Sequence, residues 1–231
     1  MRRLIHLLII LVMTPLSGLA GENDLYDFLW LDPDKKVYVL QNKLYQKKNS
    51  LYVDLGYISN LTSEFEDING ASLKVGYYFQ EEWAIELQHN TYASKTNSTY
   101  ESVKAVNDAE PFIRKANSLT ALFAVWSPFY GKINTFNKIY YFDISFGIGY
   151  GQLNGESNLD SVRIASSANY FKGESFNPVL LKSNIKFHIN QNFHIGVEFL
   201  NTNFQAGSPK TPSRKEWKQF NDLVLSVGVS F

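Results

Sequence analysis

Hydrophobic and polar residues alternate along much of the chain, and the alternation is clearest in the last nine residues. Large apolar side chains occupy every second position there: Leu223, Leu225, Val227, Val229 and Phe231. Successive side chains of a β-strand point to opposite faces, so this period of two predicts a strand with one strongly apolar face. Such a strand fits either a membrane barrel or the last strand of a soluble sandwich or barrel.

Seven upstream segments repeat or tolerate this two-faced pattern. Their apolar positions are, in chain order, Leu51, Val53, Leu55 and Tyr57; Leu73, Val75, Tyr77 and Phe79; Trp83, Ile85 and Leu87; residues between Leu119 and Trp126; Tyr140, Phe142, Ile144, Phe146, Ile148 and Tyr150; Val179, Leu181, Ile185, Phe187 and Ile189; and Phe193, Ile195, Val197 and Phe199. The pattern therefore predicts eight strands.

The connections between these strands alternate between long polar stretches and short turns. Gln80-Glu81-Glu82 and Asn190-Gln191-Asn192 are short turns, and the Pro- and Gly-containing stretch Trp126–Lys132 is interpreted as a connection of medium length. An up-and-down meander in an outer membrane has long loops outside and short turns in the periplasm. We therefore predict an all-β fold, an eight-stranded antiparallel up-and-down transmembrane β-barrel.

The two faces of the predicted strands differ sharply in charge. Glycines such as Gly76 and Gly149 lie on the polar face, where a narrow eight-stranded interior needs small residues, so we predict that this face points inward. An unpaired charge in a confined site costs several kcal/mol on the order of buried-charge estimates, so the interior charges are expected to pair. The predicted lumen charge network comprises Asp54, Lys74, Glu86, Asp143, Lys182, Lys186 and Glu198.

Aromatic residues on the apolar face cluster near the ends of strands, as the interfacial girdles of a membrane barrel require. Tyr57, Tyr150 and Phe199 are predicted to lie toward the outer interface. The predicted periplasmic aromatic girdle contains Tyr77, Phe79, Trp83, Trp126, Tyr140, Phe187 and Phe193, with Phe231 at the same rim.

The N-terminus has the pattern of a cleaved secretory signal. Arg2 and Arg3 precede an apolar run that Pro15 ends, and small residues follow before Gly21. The predicted organisation is a signal peptide over residues 1–20, a periplasmic leader over 21–48 and an outer-membrane barrel over 49–231. The mean hydropathy of −0.21 is too polar for a helical membrane protein but suits a barrel, in which only every second strand residue faces lipid.

Three stretches carry a resemblance to a known family. The stretch Trp126–Lys132, followed by Phe136-Asn137 and Phe142-Asp143, resembles the mid-barrel signature of an outer-membrane β-barrel family of myxobacteria and predatory bacteria. The hairpin Tyr77–Ala84 and the leader around Asn42–Tyr45 are similar to the same family. The terminal strand resembles the closing strand that the barrel-assembly machinery reads, and the architecture resembles small OmpA-type and OmpX-type barrels. The resemblance implies a fold and a location but no activity.

The residues that could carry enzyme chemistry are few. Cysteine is absent, the formal net charge is zero, and no G-x-S-x-G motif occurs. His188 and His194 flank one turn but lack the further ligands of a metal site, and His89 is the one candidate for lipid-modifying chemistry at the outer rim. We therefore expect a non-enzymatic protein with no cofactor and no metal.

The expected function is that of an integral outer-membrane barrel in a Gram-negative envelope. Its lumen is predicted to be plugged by side chains, and its role to be structural, adhesive or envelope-stabilising, with long outer loops. The expected partners are outer-membrane lipids, lipopolysaccharide and, during insertion, the barrel-assembly machinery; nucleic acid is not expected, and the state is predicted to be monomeric. Two alternatives remain open at this point: a narrow channel for small solutes, and a soluble periplasmic lipocalin-like binding barrel.

Overall fold

The computed structural model describes residues 43–107, 110–135, 138–163, 169–209 and 214–231. The predicted signal peptide and most of the predicted leader, up to residue 42, lie outside the described residues. The strands are β1 (Ser50–Asn60), β2 (Glu66–Tyr78), β3 (Trp83–Thr96), β4 (Arg114–Thr135), β5 (Lys138–Ser157), β6 (Lys172–Phe176), β7 (Val179–His188), β8 (Phe193–Ala206) and β9 (Glu216–Ser230).

The sheet closes on itself as a barrel of antiparallel strands. Each strand from β1 to β5 pairs with its sequence neighbour, β5 pairs with β7, and β7, β8 and β9 follow in order. The ring closes where β9 pairs with β1, with Val229 opposite Val53. The short strand β6 pairs with the far end of β5 and leads into β7 through Asn177 and Pro178, so β6 and β7 together occupy one position of the ring. The predicted eight-stranded up-and-down β-barrel is confirmed.

The β4–β5 hairpin corrects one prediction. Strand β4 does not end at Trp126 but continues to Thr135, so Trp126–Lys132 lies within the strand and is not a connection. The register passes from the pair Trp126 and Phe146 to the pair Phe129 and Ile144, which places Ser127 and Pro128 opposite the single residue Ser145. Such a β-bulge accommodates a proline, which has no N–H to donate to the ladder. The Pro and Gly residues therefore mark a bulged strand.

Two helices occupy connections at the end of the barrel away from the short turns. Helix α1 (Ser98–Asn107) follows β3, and helix α2 (Leu159–Arg163) follows β5. Asn97 caps α1, because its side-chain oxygen accepts hydrogen bonds from the backbone N–H groups of Thr99 and Tyr100 at 3.1 Å. Among the described residues, no helix is long and apolar enough to cross a membrane.

The charged side chains of the strands face mainly inward and most large apolar side chains of the middle of the barrel face outward, the reverse of a soluble protein. Leu55, Ile85 and Val227 are 61%, 53% and 60% exposed, whereas Asp54, Glu86 and Gly228 beside them point into the interior. The outward face forms an apolar belt of leucine, isoleucine, valine and aromatic side chains. A surface of this kind suits hydrocarbon rather than water, because exposed apolar area of this extent is unfavourable in water.

The N-terminal end of the described chain lies at the mouth of the barrel beside the short turns. Asn49 has a φ of 60°, a left-handed conformation that asparagine tolerates, and its N–H donates to Tyr78 O at 2.7 Å. Tyr130 Oη accepts a hydrogen bond from Leu44 N at 3.2 Å. Residues 43–49 therefore turn into β1 after packing against the barrel from this end.

Candidate functional site

The centre of the lumen holds lysine and carboxylate side chains from opposite walls of the barrel. Lys74 on β2 is fully buried, and its Nζ lies 3.2 Å from Glu198 Oε2 on β8 and 3.7 Å from Asp54 Oδ2 on β1. Lys182 on β7 pairs with Glu86 on β3 and lies 3.3 Å from Glu198 Oε2. The Lys74–Glu198 and Lys182–Glu86 pairs link strands that are not neighbours in the sheet, whereas the other two contacts join adjacent strands.

A second group surrounds Asp54 closer to the short-turn end. His194 Nε2 lies 2.6 Å from Asp54 Oδ1, and Lys186 Nζ lies 3.7 Å from Asp54 Oδ2. Gly228 stands beside this pair, and a Cβ atom there would overlap both Asp54 and His194. The absence of a side chain at Gly228 therefore leaves the space in which the aspartate and the histidine meet.

The short-turn end of the lumen is closed by a residue from outside the strands. Lys47 is only 5% exposed, and its Nζ lies 3.0 Å from Asp143 Oδ1. Asp143 also bonds to His188 Nε2 at 2.7 Å, and the Tyr45 ring stacks on His188 with a centroid distance of 5.1 Å. Residues 43–49, called here the N-terminal plug, thus insert a lysine and a tyrosine into the mouth.

Neutral polar and aromatic groups complete the contacts between the charges. Tyr52 Oη donates to Glu86 Oε2 at 2.5 Å, and Lys186 Nζ lies 4.0 Å from the Tyr52 ring centroid. Gln88 Nε2 donates to Glu198 Oε1 at 3.0 Å, while Gln88 Oε1 accepts from Lys182 Nζ at 3.3 Å. Hydrogen bonding of this kind supports a buried charge as much as an opposite charge does.

The seven predicted charges all lie in the interior, and each contacts at least one of the others or a further buried group. Five further members of this cluster are not predicted by the sequence pattern: Lys47, Tyr52, Gln88, His188 and His194. Lys47 belongs to the predicted periplasmic leader. It lies in the interior because the chain turns at Asn49 before it enters β1. With Lys47 included, four lysines face the carboxylates of Asp54, Glu86, Asp143 and Glu198, so these eight groups balance in formal charge.

Beyond the charges, toward the loop end, the lumen becomes apolar. Asp222 follows Glu198 in this direction and accepts hydrogen bonds from Tyr92 Oη and Asn60 Nδ2, both at 2.8 Å. A cluster of buried apolar side chains then fills the interior; its members include Leu119, Leu153, Leu180, Leu200, Phe204 and Phe220.

The predicted girdle and terminal residues lie on the outer face. The exposed fraction is 37% for Phe187 and 53% for Phe193, and the other five girdle residues fall between these values. Phe231 is 73% exposed, and its N–H donates to Leu51 O at 2.8 Å. Leu225 and Val227 are also exposed on β9, and Leu223 and Val229 share their face of the strand. His89, the candidate for rim chemistry, faces outward and bonds to Thr120 Oγ1 at 2.8 Å.

Glu81 in the β2–β3 turn binds the N-terminal plug at the short-turn end of the barrel. Its carboxylate lies 2.9 Å from Lys43 Nζ and accepts hydrogen bonds from the backbone N–H groups of Lys47 and Lys48 at 3.0–3.1 Å. Partial burial alone would raise the pKa of the Glu81 carboxyl, but the hydrogen bonds from Lys43, Lys47 and Lys48 outweigh it and hold that pKa below its ordinary value. The carboxylate is therefore ionised at neutral pH and clamps the plug.

No protein-family model and no curated protein sequence matches this chain. Several solved structures have a detectable likeness to it, among them the following three. The N-terminal β-barrel domain of Pseudomonas aeruginosa OprF is 13% identical with a TM-score of 0.46, over 80% of this chain and 100% of that one. Neisserial surface protein A (NspA) is 11% identical with a TM-score of 0.44, over 78% and 94%. The attachment invasion locus protein Ail of Yersinia pestis is 13% identical with a TM-score of 0.41, over 80% and 99%.

Proposed function

We propose that this protein is an integral outer-membrane β-barrel without enzymatic activity, whose lumen is closed by its own side chains. Its role is to stabilise the envelope or to present its long loops to partners. The observation that carries this proposal is the wall-to-wall pairing of lumen charges, in which Lys74 on β2 reaches Glu198 on β8 and Lys182 on β7 reaches Glu86 on β3. Side chains that bridge opposite walls occupy the space that a solute would need.

The location in the outer membrane rests on the outward-facing apolar belt and its aromatic borders. A barrel with charges inside and leucine, valine and isoleucine outside is stable in lipid and aggregation-prone in water. The short turns and both ends of the barrel domain lie at one rim, which we assign to the periplasm, and the helical loops then face outward. Lipids and lipopolysaccharide would contact the belt, and the assembly machinery would read β9. Membership of the myxobacterial and predatory-bacterial family stays a prediction from its sequence resemblance.

The structure also offers support for a second candidate, a narrow channel. Asn184 Oδ1 and Ser226 Oγ are buried without a hydrogen-bond partner in the described part of the chain, and both lie beside Gly196. Unpartnered polar atoms next to a glycine are the kind of site that an internal water satisfies. A continuous row of such waters would let small solutes or protons pass the charged side chains of the lumen. The remaining alternative, a soluble lipocalin-like barrel, would need a polar outer face, whereas the outer face of this barrel is an apolar belt.

Planar-bilayer recording of the purified protein separates the two membrane functions. A closed lumen predicts no steady openings from the wild type. The variant Lys47→Ala, which removes the lysine at the periplasmic mouth, tests whether the plug is the barrier, and Glu101→Gln on exposed helix α1 is its matched control. Steady wild-type openings that Glu198→Gln alters and Glu101→Gln does not would establish the channel instead.

Fractionation tests the location independently of conductance. The folded protein is expected in detergent-extracted outer membranes, with a gel mobility that changes on boiling, as a folded barrel migrates differently from its unfolded form. Recovery of the native protein in the soluble periplasmic fraction would establish the lipocalin-like alternative and overturn the membrane assignment.

A further inference from the structure

A cavity of about 670 Å³ lies at the loop end of the barrel, above the apolar cluster that fills the outer part of the lumen. It is bounded by the β1–β2 connection, the start of β4 and the outer ends of β5, β8 and β9. Its volume falls in the range of about 300–1,000 Å³ that is typical of small-molecule sites. Its walls are mainly apolar and include Phe65, Phe112, Phe176, Phe204 and Phe220.

One acidic group lines this cavity without a hydrogen-bond partner. Glu66 is 3% exposed, and neither of its carboxylate oxygens has a hydrogen-bond partner among the described residues. Its nearest cation is Lys115, whose Nζ lies 3.6 Å from Oε1, beyond hydrogen-bond distance. Buried carboxylate oxygens normally accept hydrogen bonds, since an unsatisfied buried acceptor is costly. The Ser94 and Lys115 side chains interact with this carboxylate, and its remaining lone pairs offer acceptor capacity to a ligand.

The cations that line the cavity already have acidic partners, and that of Lys218 is Glu216 Oε2 at 3.1 Å. Arg114 bonds to Glu174 Oε2 at 2.7 Å, and its guanidinium lies 5.1 Å and 5.6 Å from the ring centroids of Phe112 and Phe176. Lys115 lies 4.2 Å from the Phe171 ring centroid, so its charge is shared between that ring and Glu66. The Glu66–Lys115 pair has no net formal charge, which disfavours a charged ligand. The Glu66 oxygens still favour a ligand that donates a hydrogen bond.

We propose that this cavity binds a neutral amphipathic small molecule whose apolar, preferably aromatic, body packs among the phenylalanines and whose hydroxyl or amide N–H donates to the Glu66 carboxylate. The site lies outside the charged lumen, so it does not depend on whether the lumen conducts. Three features of the cavity match one ligand class: its size, its aromatic lining and the buried Glu66 carboxylate as an acceptor.

Calorimetric titration in lipid nanodiscs tests the proposal with three probes that share one body: naphthol, methylnaphthalene and naphthylmethylammonium. Titration into empty nanodiscs corrects for partitioning into lipid. Naphthol is expected to bind saturably and at least about tenfold more tightly than methylnaphthalene, because a hydrogen bond to a charged, desolvated acceptor carries roughly that factor. Tighter binding of naphthylmethylammonium than of naphthol would overturn the neutral ligand class.

Two variants locate the binding. Glu66→Leu is expected to weaken naphthol about tenfold or more while leaving methylnaphthalene within about twofold. Ala116→Trp, which places a large ring in the cavity, is expected to abolish the binding of both probes, and Glu101→Gln on helix α1 is the matched control. Should Glu66→Leu fail to fold, as judged by heat-modifiable mobility, Glu66→Gln takes its place with a smaller expected loss. Absence of saturable wild-type binding, or naphthol affinity unchanged in the Glu66 variants, would overturn the proposal.

Discussion

Lys74 and Glu198 are 124 positions apart in the chain, and their charged groups meet 3.2 Å apart in the middle of the barrel. Both side chains are almost completely buried, at 0% and 1% side-chain exposure. Glu198 also lies 3.3 Å from Lys182, so one carboxylate bridges two lysines from different strands. A charge so far from water is tolerable only while its partners remain, and the contacts form only when β2, β7 and β8 are all in place.

Replacing Glu198 by leucine is therefore expected to destabilise the folded barrel strongly. The change removes a carboxylate partner from both Lys74 and Lys182. Removing one member of a buried ion pair typically costs about 3–5 kcal/mol. The free energy of unfolding, measured by urea titration in lipid vesicles, checks this. Glu101→Gln, on the exposed surface of helix α1, should leave the unfolding curve unchanged. A Glu198→Leu curve that coincides with that of the wild type would contradict a stabilising role for the network.

Gly76 and Tyr52 form a second close relationship in the lumen. A Cβ at Gly76 would overlap the Tyr52 ring, which is 2% exposed and held by its hydrogen bond to Glu86. Gly76→Ala is expected to lower the free energy of unfolding by about 1–3 kcal/mol, the usual cost of inserting a methyl group into a well-packed interior. Gly173→Ala is the matched control, because a Cβ there meets nothing within 4 Å. Equal stability of the two variants would show that the ring moves aside freely.

The strand pattern was predictable from sequence because each strand has one face in contact with lipid. An apolar residue at every second position is required wherever the outer face meets hydrocarbon, so Tyr140, Phe146 and Tyr150 reveal the phase of β5 without further information. The inward direction of Asp54, Lys74 and Glu198 follows from the same phase. The sequence was less informative where the barrel departs from regular pairing: Pro128 suggested a connection, but a bulge keeps it within β4.

The contacts inside the lumen could be predicted only in part. Alternation shows which face a residue occupies but not its height along the barrel, and pairing across the lumen depends on the stagger of all the strands. Four predicted acids faced three predicted lysines, and this imbalance was a signal that another cation was needed. Lys47 provides it from the N-terminal plug, a segment without strand periodicity. The cavity beside Glu66 is formed by loops and strand ends, where no periodic pattern exists.

The clamp between Glu81 and the N-terminal plug is expected to depend on pH. The pKa of the Glu81 carboxyl is lowered in the folded state, so its contribution to stability is fully present above the ordinary glutamate pKa and is lost as pH falls through the lowered value. Amide hydrogen exchange of Lys47 and Lys48, corrected for the intrinsic pH dependence, should therefore show protection at neutral pH that declines in acid.

Glu81→Gln separates this clamp from general acid effects. The variant keeps the size of the side chain but loses the charge that attracts Lys43 and the two backbone N–H groups, so protection of the plug amides should be reduced at neutral pH. Glu82→Gln in the same turn is the control. Protection that stays constant from neutral to acidic pH in the wild type, or is unaffected by Glu81→Gln, would assign the holding of the plug to Lys47 and Asp143 alone.

The terminal residue is expected to matter more for assembly than for the finished barrel. The backbone of Phe231 closes the ring by two hydrogen bonds with Leu51, at 2.8 and 3.1 Å, and truncation of the side chain leaves both intact. The ring itself is 73% exposed, so its removal takes away little protein packing. Phe231→Ala should therefore lower the amount of protein that reaches the outer membrane while the unfolding free energy of the purified barrel changes by less than about 1 kcal/mol.

Phe193→Ala is the matched control, since Phe193 is an exposed aromatic at the same rim but lies within the chain. Pulse-chase conversion to the heat-modifiable form measures the assembly rate of each. Equal rates for the two variants, or normal levels of Phe231→Ala in the membrane, would mean that the rim aromatics act only as an interfacial anchor.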